Sequence, residues 1–344
     1  KPDLAVVSFG PPAVLKLALY LKHRHQLPYI LDWRDEWTNN PELTNSPHFV
    51  RASVRELELE KSVLRNADGC VYLTSQMRDN FLARYLFLKD IPYALIPNGY
   101  DEDDFIAVAT DSHVSSVIPV KTGTNPTRQT LRIHYSGSFY DRRQPDPLWK
   151  ALLELIHEHK IPSDAISFII RGNNRPAFVL GRFQSDPVLK AIVKLLPYQP
   201  HRSNLREMLA ADALLLYVPS GQNTDSVLTG KIFEYLRVSK PVLAIVPDQG
   251  AAAAILREAG IGFIASDTDH KGVKAQIVKL FECWQSGAAK LMKTRPTVLA
   301  RYSRSAQALS MAKLIDSISP GLPSQSSPPR MNPSTLGKHI ETDE

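Results

Sequence analysis

Short apolar, β-branched runs bounded by Gly, Pro or Asp recur along this chain, separated by amphipathic stretches of helical length. That alternation restricts the fold to βαβ units around parallel sheets. The first series places strands at Leu4 to Ser8, Tyr29 to Asp32, Gly69 to Thr74 and Ala94 to Pro97. Helices are expected between them, near Val14 to His25, Phe49 to Asn66 and Ser75 to Leu86. A polar segment, Ala107 to Gln129, then breaks the series; it is rich in Ser, Thr, Pro and Gly and has no period. The pattern restarts with strands at Leu131 to Tyr135, Ile166 to Arg171, Lys194 to Leu196, Ala213 to Val218, Pro241 to Val246 and Gly262 to Ile264. The expected class is α/β, with two Rossmann-like doubly wound domains facing a cleft, where ligands of such sheets bind beyond the carboxyl ends of the strands. Residues 1–106 form the first domain, 107–129 the linker, 130–288 the second domain and 289–318 closing helices. The Pro, Ser and Gly run at 319–344 is expected to be disordered.

Composition narrows the function classes. Of the 344 residues 43% are hydrophobic and 22% charged, the balance of a globular chain. No apolar run approaches the ~18 residues that cross a bilayer. Cys70 and Cys283 lie far apart in no metal-binding spacing, so neither a disulfide framework nor a metal site is expected, and a cytoplasmic location fits. A formal charge of +6 favours anionic ligands in general without naming one; nucleic acid is not an expected partner. Oligomeric state stays open.

Three loops after strands of the second series carry groups suited to a nucleotide. Ser136-Gly137-Ser138 leads to Arg142 and Arg143, where glycine lets backbone approach a phosphate and guanidinium groups add donors, although a plain turn with solvated arginines fits as well. At Thr229-Gly230-Lys231, a helix start capped by Thr229 would point free N–H groups and the Lys231 ammonium at one spot that suits a diphosphate. Glu234 lies one turn along, where a carboxylate can accept from ribose hydroxyls; the bland alternative is a surface Lys231–Glu234 pair. Tyr198 and Gln199 precede a helix expected to be capped by Asn204, with Glu207 reciprocal, and are placed to receive a base, while His201 reads as a helix-entry residue. A further helix is expected to be capped by Asp146, with Pro147 at its first position. In the first series the dense feature is Asp32-Trp33-Arg34-Asp35-Glu36-Trp37, which suits sugar hydroxyls and apolar sugar faces, or equally an internal Asp–Arg ion pair that shapes the turn.

The string Ile96-Pro97-Asn98-Gly99-Tyr100-Asp101 resembles the domain-junction signature of the retaining GT-B glycosyltransferases called group 1, a family 4-like type. Asp32 to Trp37, preceded by Ser8-Phe9-Gly10-Pro11-Pro12, resembles a subset of that group acting in cell-surface polysaccharide assembly. Tyr135-Ser136-Gly137, Ala211 to Leu215 and Gly230-Lys231-Ile232-Phe233-Glu234-Tyr235-Leu236 follow in the family's order. The resemblance covers about residues 2 to 317. It implies sugar transfer from a nucleoside diphosphate sugar to a glycan or lipid-linked acceptor, with retention and with neither a metal nor a resident cofactor, and with peripheral contact at the inner membrane face left open. Gly137, Arg142, Arg143, Gly230 and Lys231 are assigned to the diphosphate, Glu234 to the ribose, and Trp33, Arg34, Trp37 and Asn98 to the acceptor side. Asp32 and Asp35 are the catalytic candidates, since the histidine that many members carry in the first-domain cleft loop is not there. Ser226 stands where many members carry a glutamate facing the donor sugar. The resemblance also implies that on the order of 100 residues, a small domain's worth, precede Lys1 in a complete member, leaving the first domain incomplete. A nucleotide-sugar epimerase of the same fold and an inactive nucleotide-sugar-binding remnant are the competing readings.

Overall fold

The computed structural model describes residues 2–40, 53–110, 130–140 and 144–318. The expected tail at 319–344, most of the linker, and residues 49–52 of the second expected helix lie outside them. The first unit runs β1 (Ala5–Ser8), α1 (Ala13–His25), β2 (Tyr29–Trp33), α2 (Val54–Asn66), β3 (Gly69–Tyr72), α3 (Ser75–Arg84) and β4 (Tyr93–Leu95), followed by α4 (Glu102–Thr110). The second runs β5 (Leu131–Ser136), α5 (Asp146–His157), β6 (Ile166–Arg171), α6 (Pro176–Leu180), α7 (Pro187–Ile192), β7 (Val193–Leu196), α8 (His201–Ala210), β8 (Ala213–Tyr217), α9 (Lys231–Val238), β9 (Val242–Ile245), α10 (Ala251–Ala259), β10 (Gly262–Ala265) and α11 (His270–Gln285). Two more helices close the chain, α12 (Pro296–Arg301) and α13 (Arg304–Ile318).

All strands pair in parallel. The first sheet has the order β1-β2-β3-β4, and the second β7-β6-β5-β8-β9-β10. The second is the classic doubly wound order, which reverses between its first and fourth strands, here β5 and β8. A strand such as β8, Ala-Leu-Leu-Leu-Tyr, is buried at every position because helices cover both faces of the sheet. On one face Trp149 and Leu152 of α5 and Phe281 of α11 pack on Phe168 and Leu215. On the other, Leu205 of α8, Phe233 and Leu236 of α9 and Leu256 of α10 pack on Leu214 and Leu216.

The chain crosses between the domains twice, and the crossings are paired. Tyr100 N–H donates to the Tyr302 carbonyl and Arg304 N–H to that of Tyr100, each at 3.0 Å. Helix α4, though it follows the first sheet directly, belongs by packing to the second domain. Tyr100 and Phe105 sit in its core, and Arg237 of α9 grips Glu102 through two hydrogen bonds of 2.7 and 2.5 Å. The helix also continues to Thr110, into the stretch read from sequence as linker, because Phe105 and its neighbour Val108 have an apolar surface to cover. In return, Met311, Leu314, Ile315 and Ile318 of α13 pack on Ile30, Val71 and Ile96 of the first sheet.

The expected helix caps differ from those found. Pro200, with φ −55°, starts α8 one turn early, so Asn204 and Glu207 lie inside the helix. Asp146 is the first helical residue of α5 and its side chain makes no capping bond. Gly230 occupies the N-cap of α9, and Thr229 supplies only its carbonyl, to Ile232 N–H at 3.3 Å.

Gly99 marks the tightest point of the crossing. A Cβ there would lie 2.5 Å from the Tyr302 carbonyl oxygen and closer still to the Gln307 amide. Gly99→Ala is expected to lower the melting temperature by several degrees, from a cost on the order of 1–3 kcal/mol. Gly10→Ala, whose Cβ meets nothing within 4 Å, is the control and should change little. An unchanged melting temperature in Gly99→Ala would show that the crossing yields freely.

Candidate functional site

At the reversal between β5 and β8, the connections leave on opposite faces of the sheet and open a crevice at the strand ends. The loop after β5 and the start of α9 meet there. Gly137, at φ +142°, lies so close to Lys231 that an added Cβ would be 2.6 Å from its Cε and 2.9 Å from its Nζ. The Lys231 ammonium also sits over the Tyr135 ring, 5.2 Å from its centre. The loop is fastened: Gly137 N–H donates to the Arg171 carbonyl at 2.8 Å, and Asn174 both donates to the Gly137 carbonyl at 2.9 Å and accepts from Phe139 N–H at 2.8 Å. Phe139 stacks on Tyr135 at 4.3 Å. The result is a cation and a helix N-terminus presented beside the backbone of a single glycine, an arrangement that suits a diphosphate. Gly230, at the N-cap, has open space where a Cβ would be. Arg142 and Arg143 lie outside the described residues.

Glu234 projects from the first turn of α9 and its Oε1 lies 2.6 Å from His201 Nε2. His201 Nδ1 in turn faces Asp104 of α4 at 3.7 Å. His201, which reads from sequence only as a helix-entry residue, is thus a partner of the expected ribose carboxylate; Pro200, by starting α8 early, is what brings it there. In the preceding loop Tyr198 is 70% exposed, and the Gln199 amide nitrogen is buried without a hydrogen-bond partner.

Below the crevice a polar chain supports the strand ends. His134 Nε2 is 2.7 Å from Ser136 Oγ and 3.2 Å from Asn204 Oδ1, and the Ser136 hydroxyl donates to Asn204 at 2.6 Å. Glu207 pairs with Arg171, whose guanidinium also donates to the Pro197 carbonyl at 3.1 Å and so ties down the 197–200 loop. Asn204 and Glu207 are therefore supports of the site rather than caps.

In the first domain the loop after β2 resolves differently from the sugar-contact reading. Asp32 holds Arg34 in a two-point ion pair, with Oδ2 2.8 Å from Nε and Oδ1 2.8 Å from NH2. Arg34 reaches on to the Ile96 carbonyl at 3.3 Å and to Asn98 Oδ1 at 3.5 Å, joining the ends of β2 and β4. Trp33 is fully buried against Phe9 and Phe81, and Trp37 packs on Phe9 in the same core. Trp33 therefore has no face open to an acceptor; as the last residue of a strand covered on both sides, it points into the helix layer. Asp35 is exposed. Glu36, which the sequence does not single out, is only 2% exposed and reaches the second domain, accepting from the Ser226 hydroxyl at 3.1 Å. Burial pushes the Glu36 carboxyl above the ordinary carboxylate range, against bonds from Asn80, Asn39 and Ser226 that hold it down. Nearby, a cavity of about 540 Å³ separates the domains, lined by Thr74, Ser75, Gln76 and Pro97 of the first and Leu228 and Ala254 of the second. Among the described residues no His, Cys, Asp and Glu cluster could hold a metal ion, and no helix is long and apolar enough to cross a membrane.

A scan against protein-family models gives no match, and neither does a search of curated protein sequences. Solved structures do match along most of the chain. A sucrose-phosphate synthase from Thermosynechococcus elongatus superposes with a TM-score of 0.60 at 16% identity, over 92% of this chain and 73% of that one. An α,α-trehalose-phosphate synthase (UDP-forming) from Burkholderia xenovorans, solved with glucose-6-phosphate, gives 0.63 at 12% identity over the same shares. The fold is GT-B. A lipopolysaccharide outer core galactosyltransferase shares the GT-B architecture at a TM-score of 0.56 and 11% identity, over 92% of this chain and 75% of that one. At these identities the likeness speaks for the fold; the site rests on its own residues.

The support beneath the GT-B crevice makes a pH-dependent contribution to stability. Burial holds the His134 imidazole below its ordinary range, and the Arg171 charge adds to this, against Asn204 and Glu207. The unfolded chain takes up a proton near pH 6.5 where the folded one resists it, so this contribution is intact above that value and lost as pH falls below it. His134→Leu is expected to show a smaller drop in melting temperature between pH 7.5 and 5.5 than the parent. Equal drops would mean that the folded chain takes up a proton on His134 as readily as the unfolded one does.

Proposed function

We propose that this chain transfers a sugar from a nucleoside diphosphate sugar to a hydroxyl of a glycan or lipid-linked acceptor, with retention, in cell-surface polysaccharide assembly. The observation that carries the reading is the contact of Lys231 with Gly137 at the strand reversal, where a cation and a helix N-terminus meet the backbone of a glycine. A UDP-forming synthase and a galactosyltransferase share the fold, which supports a nucleotide sugar as donor. The diphosphate lies against Lys231 and the Gly137 loop, with Arg142 and Arg143 as further cations from the same loop. Glu234, held by His201, accepts from the ribose hydroxyls, and Gln199 donates its unpartnered amide to the base.

Chemically, the bond from the anomeric carbon to the diphosphate oxygen breaks as the acceptor oxygen bonds to that carbon, negative charge grows on the departing diphosphate, and the acceptor's hydroxyl proton passes to it. A fixed ammonium and helix dipole stabilise that charge more in the transition state than in the ground state, so the scheme needs no metal. The acceptor enters from the interdomain side, near the cavity bounded by Thr74 and Leu228. Of the two carboxylates considered for assisting the reaction, Asp32 is committed to Arg34, which leaves Asp35 as the exposed candidate.

Lys231→Ala is expected to weaken binding of a nucleoside diphosphate roughly ten- to a hundredfold and to leave the nucleoside nearly unaffected, since a charge-assisted contact to phosphate is worth ~1.5–3 kcal/mol. Calorimetry with UDP, GDP and ADP beside uridine, guanosine and adenosine reads both. Equal losses for nucleoside and diphosphate would remove Lys231 from the phosphate site.

A further inference from the structure

The two domains meet through a closed ring of hydrogen bonds that the transfer scheme leaves unused. Asn39 and Glu36 come from the turn after β2, and Asn223 and Ser226 from the loop between β8 and α9. Asn223 Nδ2 donates to Asn39 Oδ1 at 2.8 Å, and Asn39 Nδ2 donates to Glu36 Oε2 at 2.9 Å. The Ser226 hydroxyl shares its proton between Glu36 Oε1, at 3.1 Å, and the Asn223 carbonyl, at 3.0 Å, which closes the ring. Asn80 Nδ2 adds a further bond to Glu36 Oε1 at 2.7 Å. Three of the donations, from Asn39, Asn80 and Ser226, converge on the one buried carboxylate, so those bonds are charge-assisted and directional.

Each half of the ring is held rigidly in its own domain. The first-domain turn is anchored through Thr38, whose N–H and hydroxyl both donate to the fully buried Glu60 at 3.1 and 2.8 Å. Arg84 completes that anchor, 2.6 Å from both Glu60 and Thr38. On the other side Asn223 adopts a left-handed conformation, φ 59° and ψ 12°, and Thr224 bonds back to Gly221 through both its hydroxyl and the Gly221 N–H. Asn is among the few residues that tolerate φ above zero, and here the cost is accepted where its side chain must face the other domain. Only four residues separate Ser226 from the N-terminus of α9, so whatever fixes Ser226 also fixes the approach to Lys231.

We propose that Glu36, Asn39, Asn223 and Ser226 form an interdomain clasp in which Glu36 is the positioning residue, holding the loop ahead of α9 against the first domain and thereby setting the closure of the cleft over the donor site. This rests on the donor reading given above for what the clasp serves, but its existence as a clasp does not. Because the carboxylate comes from one domain and the bridging hydroxyl from the other, the bonds to Ser226 and Asn223 exist only in the closed arrangement, and opening the cleft strips a buried carboxylate of one of its donors.

The clasp can be read without nucleotide. In a Cys283→Ser background, with Cys70 buried, Glu58→Cys on α2 and Lys279→Cys on α11 accept a pair of dyes at exposed positions, one on each domain. Ser226→Ala removes the bridging hydroxyl, Ser226→Glu sets a second carboxylate against Glu36, and Glu36→Gln turns one acceptor oxygen into a donor facing donors. Energy transfer is expected to fall and broaden in all three, most in Ser226→Glu. Dissociation constants for whichever of UDP, GDP or ADP the parent binds most tightly are expected to rise roughly three- to tenfold. A melting curve confirms that each variant is folded, and if Glu36→Gln does not fold, the two Ser226 variants decide. Transfer unchanged from the parent in folded Ser226→Glu overturns the clasp. A parent that binds none of the three nucleotides, with transfer still falling in the variants, would instead overturn the donor reading and leave the clasp standing.

Discussion

Where the strand order of the second sheet reverses, between β5 and β8, two connections leave on opposite faces and open a crevice at the strand ends. The donor reading depends on that opening. Gly137 ends one lip and Lys231 begins the helix of the other, and they touch because glycine leaves no Cβ in the way. Behind them the His134, Ser136 and Asn204 chain fixes the strand end, and the Arg171–Glu207 pair holds the neighbouring loop. A charged ligand group placed there meets dipoles and a cation already oriented, which is the condition under which electrostatic stabilisation of a leaving group is effective.

The central strands were legible in the sequence because parallel strands buried on both faces read as unbroken apolar runs, and each expected run overlaps a strand whose ends lie within two residues of its own. The two loops that meet at the strand reversal were legible for a related reason: a glycine after a strand and a Gly-Lys at a helix start are local features. What escaped depended on distant partners or on competing local signals. Asn204 and Thr229 looked like caps, but Pro200 and Gly230 took those positions. Trp33 and Trp37 looked like sugar platforms until the helix layer of the first domain enclosed them. The allegiance of α4 to the second domain turns on Phe105 and on the Glu102–Arg237 pair, residues 135 apart in sequence.

The same limit explains Glu36. In the sequence it is one carboxylate among several in a short polar string, and nothing local says which will face solvent. In the structure Asp32 is spent on Arg34, Asp35 faces outward, and Glu36 turns inward to meet Ser226 across 190 residues of chain. Three neighbouring acids thus take three different roles, set by the direction each side chain leaves the loop. Paired crossings at Tyr100 and Tyr302 let the domains sit close enough for that contact.

The central claim is that a nucleoside diphosphate binds at the strand reversal of the second domain. Its most direct test is a crystal structure of the protein with UDP, GDP or ADP, chosen by the largest rise in melting temperature. The account predicts diphosphate oxygens within hydrogen-bond distance of Lys231 Nζ, against the Gly137 loop, with the ribose hydroxyls toward Glu234. A nucleotide bound elsewhere, or bound here with its base rather than its phosphates against Lys231, would contradict it.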